Sequence, residues 1–334
     1  MNPQNKDTEN SDRRNFLVNS SKLLIGGGIA ASGTLALAGC ATESSTSASK
    51  ATEVLRYNDP EWNRDAMARL QGDLDFGKQK FGYFSGIVNG VRPNEKVKPL
   101  VGFEGFSYAR LIDEGNGVYG KVLKEVGFYT DLRTGDILEE WTNPYTNETV
   151  KVVPVANDPF NYKLTPYVPQ GPSYGGLNKT EKKKIPMLYP WKETPNNTVT
   201  LNSHIHLFYP NALQPDEWPR ESSGPMNRVS EMFNYVINKD DLANPDVTSI
   251  EYSGAWSRIT PWLPWMLMGQ AEGHCFYDCS MGAYNSSEIL SPKIRAYAEK
   301  HFPEYFEAPK EWYGPSLSSL EHYAREQTPA PVKK

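Results

Sequence analysis

The feature that most constrains the fold is an alternation of short apolar runs and turn-forming clusters between residues 81 and 155. The clusters are rich in Gly, Asn, Pro and Thr, and they occupy residues 92–94, 114–117, 133–135 and 143–147. Apolar runs bounded by such clusters are typical of strands joined by tight turns. Strands joined in this way run antiparallel. The segment therefore predicts an antiparallel meander.

Further strand-like runs follow a proline- and glycine-rich stretch, and they occupy residues 198–209, 228–238, 248–259 and 274–281. The helical signal is concentrated at residues 60–70 and 291–306, where Ser291-Pro292 has the form of a helix start. The predicted fold is mainly β, with few helices, mostly near the termini. Because closure removes exposed edges, the meander is expected to close into a barrel of lipocalin-like size or larger, with a two-sheet sandwich as the alternative. We expect one domain over residues 59–331.

The first forty residues are typical of an export signal. SDRRNFL, which includes Arg13 and Arg14, resembles the twin-arginine motif, and it precedes an apolar run that ends in a lipobox-like sequence, LAGC, at Cys40. We expect removal of residues 1–39, lipid modification of Cys40, and a flexible tether over residues 40–58. The protein would then be periplasmic and lipid-anchored to a membrane. An uncleaved anchor helix is the alternative, since the apolar run of seventeen residues is at the lower limit for a span.

Composition and charge exclude several classes of partner. The net charge is −5, and no basic stripe accompanies the short run at residues 182–184, so nucleic acid is not expected as a partner. Residues 115–121, GNGVYGK, have the spacing of both phosphate-binding glycine motifs, but they lie between two strand-like runs and lead into no helix, so a nucleotide cofactor is disfavoured. We expect no cofactor.

Residues 255–269, AWSRITPWLPWMLMG, contain three tryptophans and a single formal charge, Arg258. The segment is too short for a membrane span and is interrupted by two prolines. Its indole rings must be buried, either in a plug at one end of a barrel or in the wall of a pocket formed by Trp256, Trp262, Trp265 and Met266. Arg258 needs a carboxylate partner, for which Glu104 and Glu221 are candidates, or a polar group of a ligand.

Three other groups could take part in chemistry. His204 and His206 lie two apart in a strand-like run and could donate two imidazoles to a metal, but no third ligand lies at a characteristic spacing, so no metal site is predicted. Arg220 and Glu221 could position a carboxylate or a proton donor, or form an ion pair that fixes a loop. Cys275 and Cys279, next to His274, are expected to be free thiols.

Several long motifs, in order along the chain, resemble those of the bacterial domain-of-unknown-function 1838 family. They occupy residues 143–159, 217–225, 256–269, 273–277 and 311–315. The likeness extends over most of residues 59–331. It implies a single domain, often preceded by an export signal, and it implies no particular reaction or catalytic residue.

Three functions are compatible with these observations. The first is an exported protein that binds a small apolar or aromatic molecule, with the tryptophans as wall and Arg258, Arg220 and Glu104 as polar contacts. The second is a cofactor-independent lyase, isomerase or hydrolase, in which His206, His274 or Glu221 transfers protons and Arg258 stabilises negative charge. The third is a structural envelope lipoprotein.

Overall fold

The computed structural model describes residues 54–168 and 184–332, which form part of one compact unit, Lys50–Lys334. The predicted export signal and Cys40 lie outside the described residues. The strands are β1 (Gln79–Val91), β2 (Lys98–Asp113), β3 (Tyr119–Thr130), β4 (Glu140–Thr142), β5 (Thr149–Lys151), β6 (Val155–Asn157), β7 (Tyr162–Leu164), β8 (Trp191–Thr194), β9 (Thr198–Pro210), β10 (Met226–Asn238), β11 (Tyr252–Thr260) and β12 (His274–Tyr284). The helices are α1 (Pro60–Gln71), α2 (Lys239–Ala243), α3 (Pro292–His301) and α4 (Ser319–Glu326), and two 3₁₀ helices cover Pro264–Met266 and Pro303–Phe306.

Two antiparallel meanders form one ten-stranded sheet. The first contains β1, β2 and β3, with β6 and β7 both paired to β3, and the second runs from β8 to β12. The two meanders join where β1 pairs with β12, from Phe81 opposite Tyr284 to Val91 opposite His274. A separate hairpin contains β4 and β5. The predictions of a mainly β fold, antiparallel pairing and few helices are confirmed.

The predicted barrel is wrong, because the sheet does not close. Within residues 54–168 and 184–332, the path of paired strands ends at β6 and β7 on one side and at β8 on the other. Helix α1 contacts both edges: Asn63 accepts a hydrogen bond from the indole N–H of Trp191 in β8 at 2.7 Å, and Gln71 accepts one from the hydroxyl of Tyr162 in β7. A helix that covers the edge strands removes the need for a closing ladder.

These contacts require the sheet to curl around α1. A flat path of nine strands from β7 to β8, spaced about 4.8 Å apart, would be about 38 Å wide. Asn63 and Gln71 are separated by only about 12 Å along the helix axis, at about 1.5 Å per residue. We call the face that packs on α1 the inner face and the opposite face the outer face.

Each face has its own core. On the inner face, Trp62 and Leu70 of α1 share a cluster with Tyr129, Tyr235 and Trp256 of the sheet. On the outer face, Phe81, Phe106 and Phe128 share a cluster with Leu290 and with Ile294 and Ala298 of α3.

Helix α3 begins where the sequence predicts. The side chain of Ser291 caps the helix, and Pro292 occupies its first turn. The helices are not confined to the termini, however, since α2 lies between β10 and β11. Within residues 54–168 and 184–332, no helix is both long enough and apolar enough to span a bilayer.

Candidate functional site

A group of four charged side chains lies on the inner face of the sheet. Successive residues of a strand point to opposite faces, so Lys121 and Glu125 share the face of Tyr129 on β3. By the same alternation, Glu231 on β10 and Arg258 on β11 share the face of Tyr235 and Trp256. Glu231 and Arg258 are direct cross-strand partners.

Arg258 and Glu231 form a loose ion pair. The Nε atom of Arg258 lies 3.4 Å from Oε1 of Glu231, and 26% and 22% of the two side-chain surfaces are accessible. Arg258 Nε is buried and makes no hydrogen bond within the described part of the chain. Burial acts to lower the pKa of Arg258, but the charge of Glu231 and the nearby phenols of Tyr277, Tyr209 and Tyr129 outweigh it and raise the pKa.

Glu125 faces the same space. Burial is the main reason that its pKa is raised, and the charge of Glu231 adds to the effect. A hydrogen bond from Asn157 and the charges of Arg258 and Lys121 act in the opposite direction. These groups act on one another electrostatically and keep accessible surface, and we call the space beside Lys121, Glu125, Glu231 and Arg258 the inner cavity.

Lys121 lies toward α1 in this cavity. Its ammonium group donates a hydrogen bond to the hydroxyl of Tyr162 at 2.8 Å, and that hydroxyl donates to Gln71. Burial lowers the pKa of Lys121 to about 8. Burial raises the pKa of Tyr162, and the nearby phenols of Tyr235 and Tyr252 add to the effect, so several tyrosines lie at this end of the cavity.

Aromatic rings form the wall beside Arg258. The ring of Trp256 lies 5.2 Å from that of Phe84 and 5.4 Å from that of Tyr277. The hydroxyls of Tyr277 and Tyr129 are hydrogen-bonded at 2.9 Å. Trp256 Nε1 is buried and makes no hydrogen bond within the described residues.

Residues 255–269 fall into two parts. Trp256 and Arg258 belong to β11 and to its inner face. Trp262, Trp265 and Met266 follow the strand and are buried. The ring of Trp265 lies 5.0 Å from that of Tyr129, Trp262 donates a hydrogen bond to the carbonyl of Ala271 at 3.0 Å, and the carbonyl of Met266 accepts one from Asn143 at 2.9 Å.

Neither predicted partner of Arg258 reaches it. Glu104 lies on the outer face, where its carboxylate accepts a hydrogen bond from the backbone N–H of Ser291 at 2.8 Å. Glu221 accepts one from the backbone N–H of Ala330 at 2.6 Å. Arg220 pairs with Glu148 and donates to the carbonyl of Pro331, so Arg220 and Glu221 together hold the C-terminal segment.

The predicted histidines do not face the inner cavity. His204 and His206 are exposed on the outer face of β9, opposite Met232 and Ser230, and His206 is hydrogen-bonded to Ser230 at 3.0 Å. Strand alternation places His274 on the outer face as well. In the described ranges, no group of three or more His, Cys, Asp or Glu side chains is arranged to hold a metal ion.

Cys275 and Cys279 are buried free thiols on the inner face of β12. Burial is the main reason that the pKa of each thiol is raised to about 12. Neither thiol is therefore a ready nucleophile near neutral pH.

Sequence reasoning missed Lys121, Glu125 and Glu231. The signal that could have found them is the alternation itself, since each occupies a position in phase with buried aromatic residues of its strand. Glu231 lies two residues before Phe233, and Glu125 lies four before Tyr129. A charged residue at an inward position of a strand is uncommon and points to a pair or a site.

Two open depressions on the surface lie elsewhere. One, of about 680 Å³, is lined by residues including Lys78, Arg110 and Asp246, and the other, of about 570 Å³, includes Glu61 and Lys184. Neither contains a residue predicted for a site. The inner cavity is where the aromatic and charged groups meet.

The chain belongs to a family described as a protein of unknown function, DUF1838, whose model matches residues 77–327. No curated protein is significantly similar to the chain.

Proposed function

We propose that this member of the DUF1838 family is an exported, lipid-anchored protein that binds a small molecule in the inner cavity. The ligand has an apolar or aromatic body, which packs on the ring of Trp256, and a carboxylate or carbonyl group, which meets Arg258. The observation that supports this proposal best is the loose pairing of the Arg258 guanidinium. Its guanidinium carries five N–H donors, but its charge partner within the described residues is a single, loosely placed carboxylate.

A polar group on the ligand would complete the contacts of Arg258. Arginine is rarely buried without full pairing, and its planar guanidinium matches a carboxylate in geometry. The inner cavity holds two formal positive and two formal negative side chains. A ligand with one acceptor group beside Arg258 and an uncharged ring therefore suits it better than a highly charged ligand.

Titration of tryptophan fluorescence tests binding. Aromatic acids such as benzoate, and neutral aromatics such as toluene, are added to the full chain and to Arg258→Met and Arg258→Lys variants. We expect saturable quenching by the acids, weakened about 10- to 100-fold in Arg258→Met. Arg228→Met is the matched control, because Arg228 lies on the outer face of β10 with its guanidinium over the ring of Phe208. Equal affinities in both methionine variants would remove the role of Arg258.

Fractionation of the native host tests export and anchoring. In the Cys40→Ser variant we expect the protein to move from the membrane fraction to the soluble periplasmic fraction. In a variant with Arg13 and Arg14 both replaced by Lys, we expect it to stay in the cytoplasm. A Cys40→Ser protein that remains in the membrane fraction would contradict lipid anchoring.

A cofactor-independent enzyme is the second proposal. It is favoured by the ionisable groups of the inner cavity, since a carboxyl with a raised pKa and an amine with a lowered pKa facing one space are typical of sites that transfer protons. Glu125 then takes the acid or base role that the sequence suggested for His206 and His274. Replacing Glu125 by Gln should abolish turnover of a ligand found by titration while leaving its binding within about threefold of the parent. Unchanged turnover would remove Glu125 from the reaction.

A further inference from the structure

Two lysines with lowered pKa values lie on the inner face, and their surroundings differ. Lys80 is 2% exposed, and its ammonium group donates to the backbone carbonyls of Arg69 at 2.8 Å and Ile250 at 2.5 Å. These carbonyls belong to the end of α1 and the segment before β11, so Lys80 joins two parts of the fold. Its hydrogen bonds and burial leave the amine enclosed.

Lys121 is partly rather than fully buried. Its side chain keeps accessible surface, and the hydrogen bond that holds its amine is the one to Tyr162. Tyr162 donates its own proton to Gln71, so its oxygen accepts from Lys121 and positions the nitrogen without supplying a proton to it. Because burial lowers the pKa of Lys121 to about 8, a substantial fraction of the amine is neutral near that pH. A neutral, positioned lysine amine in a partly desolvated site is a nucleophile.

We propose that Lys121 captures an aldehyde or ketone in the inner cavity as an imine. The inference rests on the proposed binding of a small molecule whose polar group meets Arg258, and it names the class of ligand as an aromatic carbonyl compound. The charges of both Lys121 and Arg258 act on Glu125, and in the proposed complex the two ends of the ligand lie on either side of this carboxyl.

The chemical step is a condensation with no change of oxidation state. The nitrogen lone pair of Lys121 attacks the carbonyl carbon, and the carbonyl oxygen takes up a proton to give a carbinolamine. The nitrogen loses its protons as the C–O bond breaks, so one water leaves and a C=N bond forms. Glu125, whose carboxyl is held toward the protonated state by burial, is the donor to the departing oxygen.

Reductive trapping tests the proposal. The full chain is incubated at pH 8 with 4-carboxybenzaldehyde and sodium cyanoborohydride, and labelled lysines are mapped by peptide mass spectrometry. We expect Lys121 to be labelled at least about tenfold faster than exposed lysines, because the fraction of neutral amine is larger at the lower pKa. The rate at Lys121 should rise with pH to a plateau above about 8.

Two variants serve as controls. Lys121→Arg keeps the positive charge and should lose the label, while its circular dichroism and melting temperature report that it is folded. Lys124→Arg is the matched control, since Lys124 lies on the same strand but faces outward and pairs with Asp158 at 3.1 Å. It should leave labelling of Lys121 unchanged. Formaldehyde, in place of the aromatic aldehyde, tests access to the amine by the smallest carbonyl compound.

Failure of this inference can be told from failure of the proposed function. If 4-carboxybenzaldehyde quenches tryptophan fluorescence in an Arg258-dependent manner but labels Lys121 no faster than the exposed lysines, the imine is overturned and binding stands. If neither aldehyde labels Lys121 and quenching does not depend on Arg258, both proposals are wrong. Selective labelling that disappears in Lys121→Arg supports the imine.

Discussion

Alternate residues of the same strands, β1–β3, form the two faces of the sheet, and the two faces differ in chemistry. On the outer face, Phe106 and Phe128 are almost fully buried under α3, and the cluster around them is apolar. On the inner face, the neighbouring Ser107 and the nearby Glu125 keep accessible surface beside buried aromatic rings. The outer core thus stabilises the sheet through apolar packing, whereas the inner face combines its own apolar core with polar groups, which the proposed function assigns to a ligand.

The largest expected effect is on the outer face. Phe106 packs on Phe81 at 6.0 Å and Phe306 at 4.9 Å, so Phe106→Ala should leave a cavity and lower the free energy of unfolding by about 3–5 kcal/mol. Ligand affinity of the folded fraction should not change. Urea unfolding and fluorescence titration measure the two quantities. A decrease in the free energy of unfolding of less than about 1 kcal/mol, or a parallel loss of ligand affinity, would contradict the proposed difference between the two faces.

The pH dependence of stability comes from the inner face. The pKa values of Lys80 and Lys121 are lowered to about 7 and about 8, so between pH 7 and 8.5 the unfolded chain binds more protons than the native protein. The free energy of unfolding should therefore rise with pH over this window, by at most about 1.4 kcal/mol per pH unit for each lysine. Urea unfolding at pH 7.0, 7.75 and 8.5 measures the slope. Lys80→Met should reduce it, and a slope that is unchanged in that variant would contradict the assignment.

Weakening the ion pair should affect binding and stability in opposite directions. Glu231→Gln removes the carboxylate beside Arg258, so we expect affinity for an aromatic carboxylate to increase about tenfold, because the guanidinium then has one competitor fewer. Stability should fall by about 1 kcal/mol, since a partly accessible pair contributes little. Titration calorimetry with benzoate measures the first effect. Weaker binding in Glu231→Gln would mean that the carboxylate itself contacts the ligand.

The smallest effects are expected at the predicted histidines. His204 and His206 are exposed on the outer face of β9, so His204→Ala and His206→Ala should change the free energy of unfolding by less than about 0.5 kcal/mol. Ligand affinity should be the same as in the parent protein. A tenfold change in either variant would show that the outer face takes part in binding.

The sequence predicts the fold class well because its signals are local. Turn clusters and alternating runs predict the antiparallel strands, and Ser291-Pro292 predicts the start of α3. Closure of the sheet into a barrel does not depend on local sequence. It depends on whether the edge strands β7 and β8, which are far apart along the chain, pair with each other or pack on a helix. Here Asn63 and Gln71 of α1 take those contacts, and no periodic pattern in the sequence reports this.

Only the part of the candidate site that depends on local sequence could be predicted. Trp256 and Arg258 stand out by composition, and they do lie together on the inner face. The partner of Arg258 could not be chosen from composition, because Glu231 becomes its neighbour only through the register of β10 with β11. The residue type of His206 suggests an acid or base role, but the face of the sheet on which His206 lies cannot be assigned without the register of β9 with β10.

The pairing of β1 with β12 determines when the protein can acquire its inner cavity. β1 is among the first strands to be synthesised, and β12 is the last, so the ladder between Phe81 and Tyr284 cannot form until nearly the whole chain has left the ribosome. Contacts of such long sequence separation slow folding. A truncation before residue 274 would remove all of β12 and leave one edge of β1 unpaired. On the proposed twin-arginine route, which carries folded proteins, the chain would have to complete this ladder before transport.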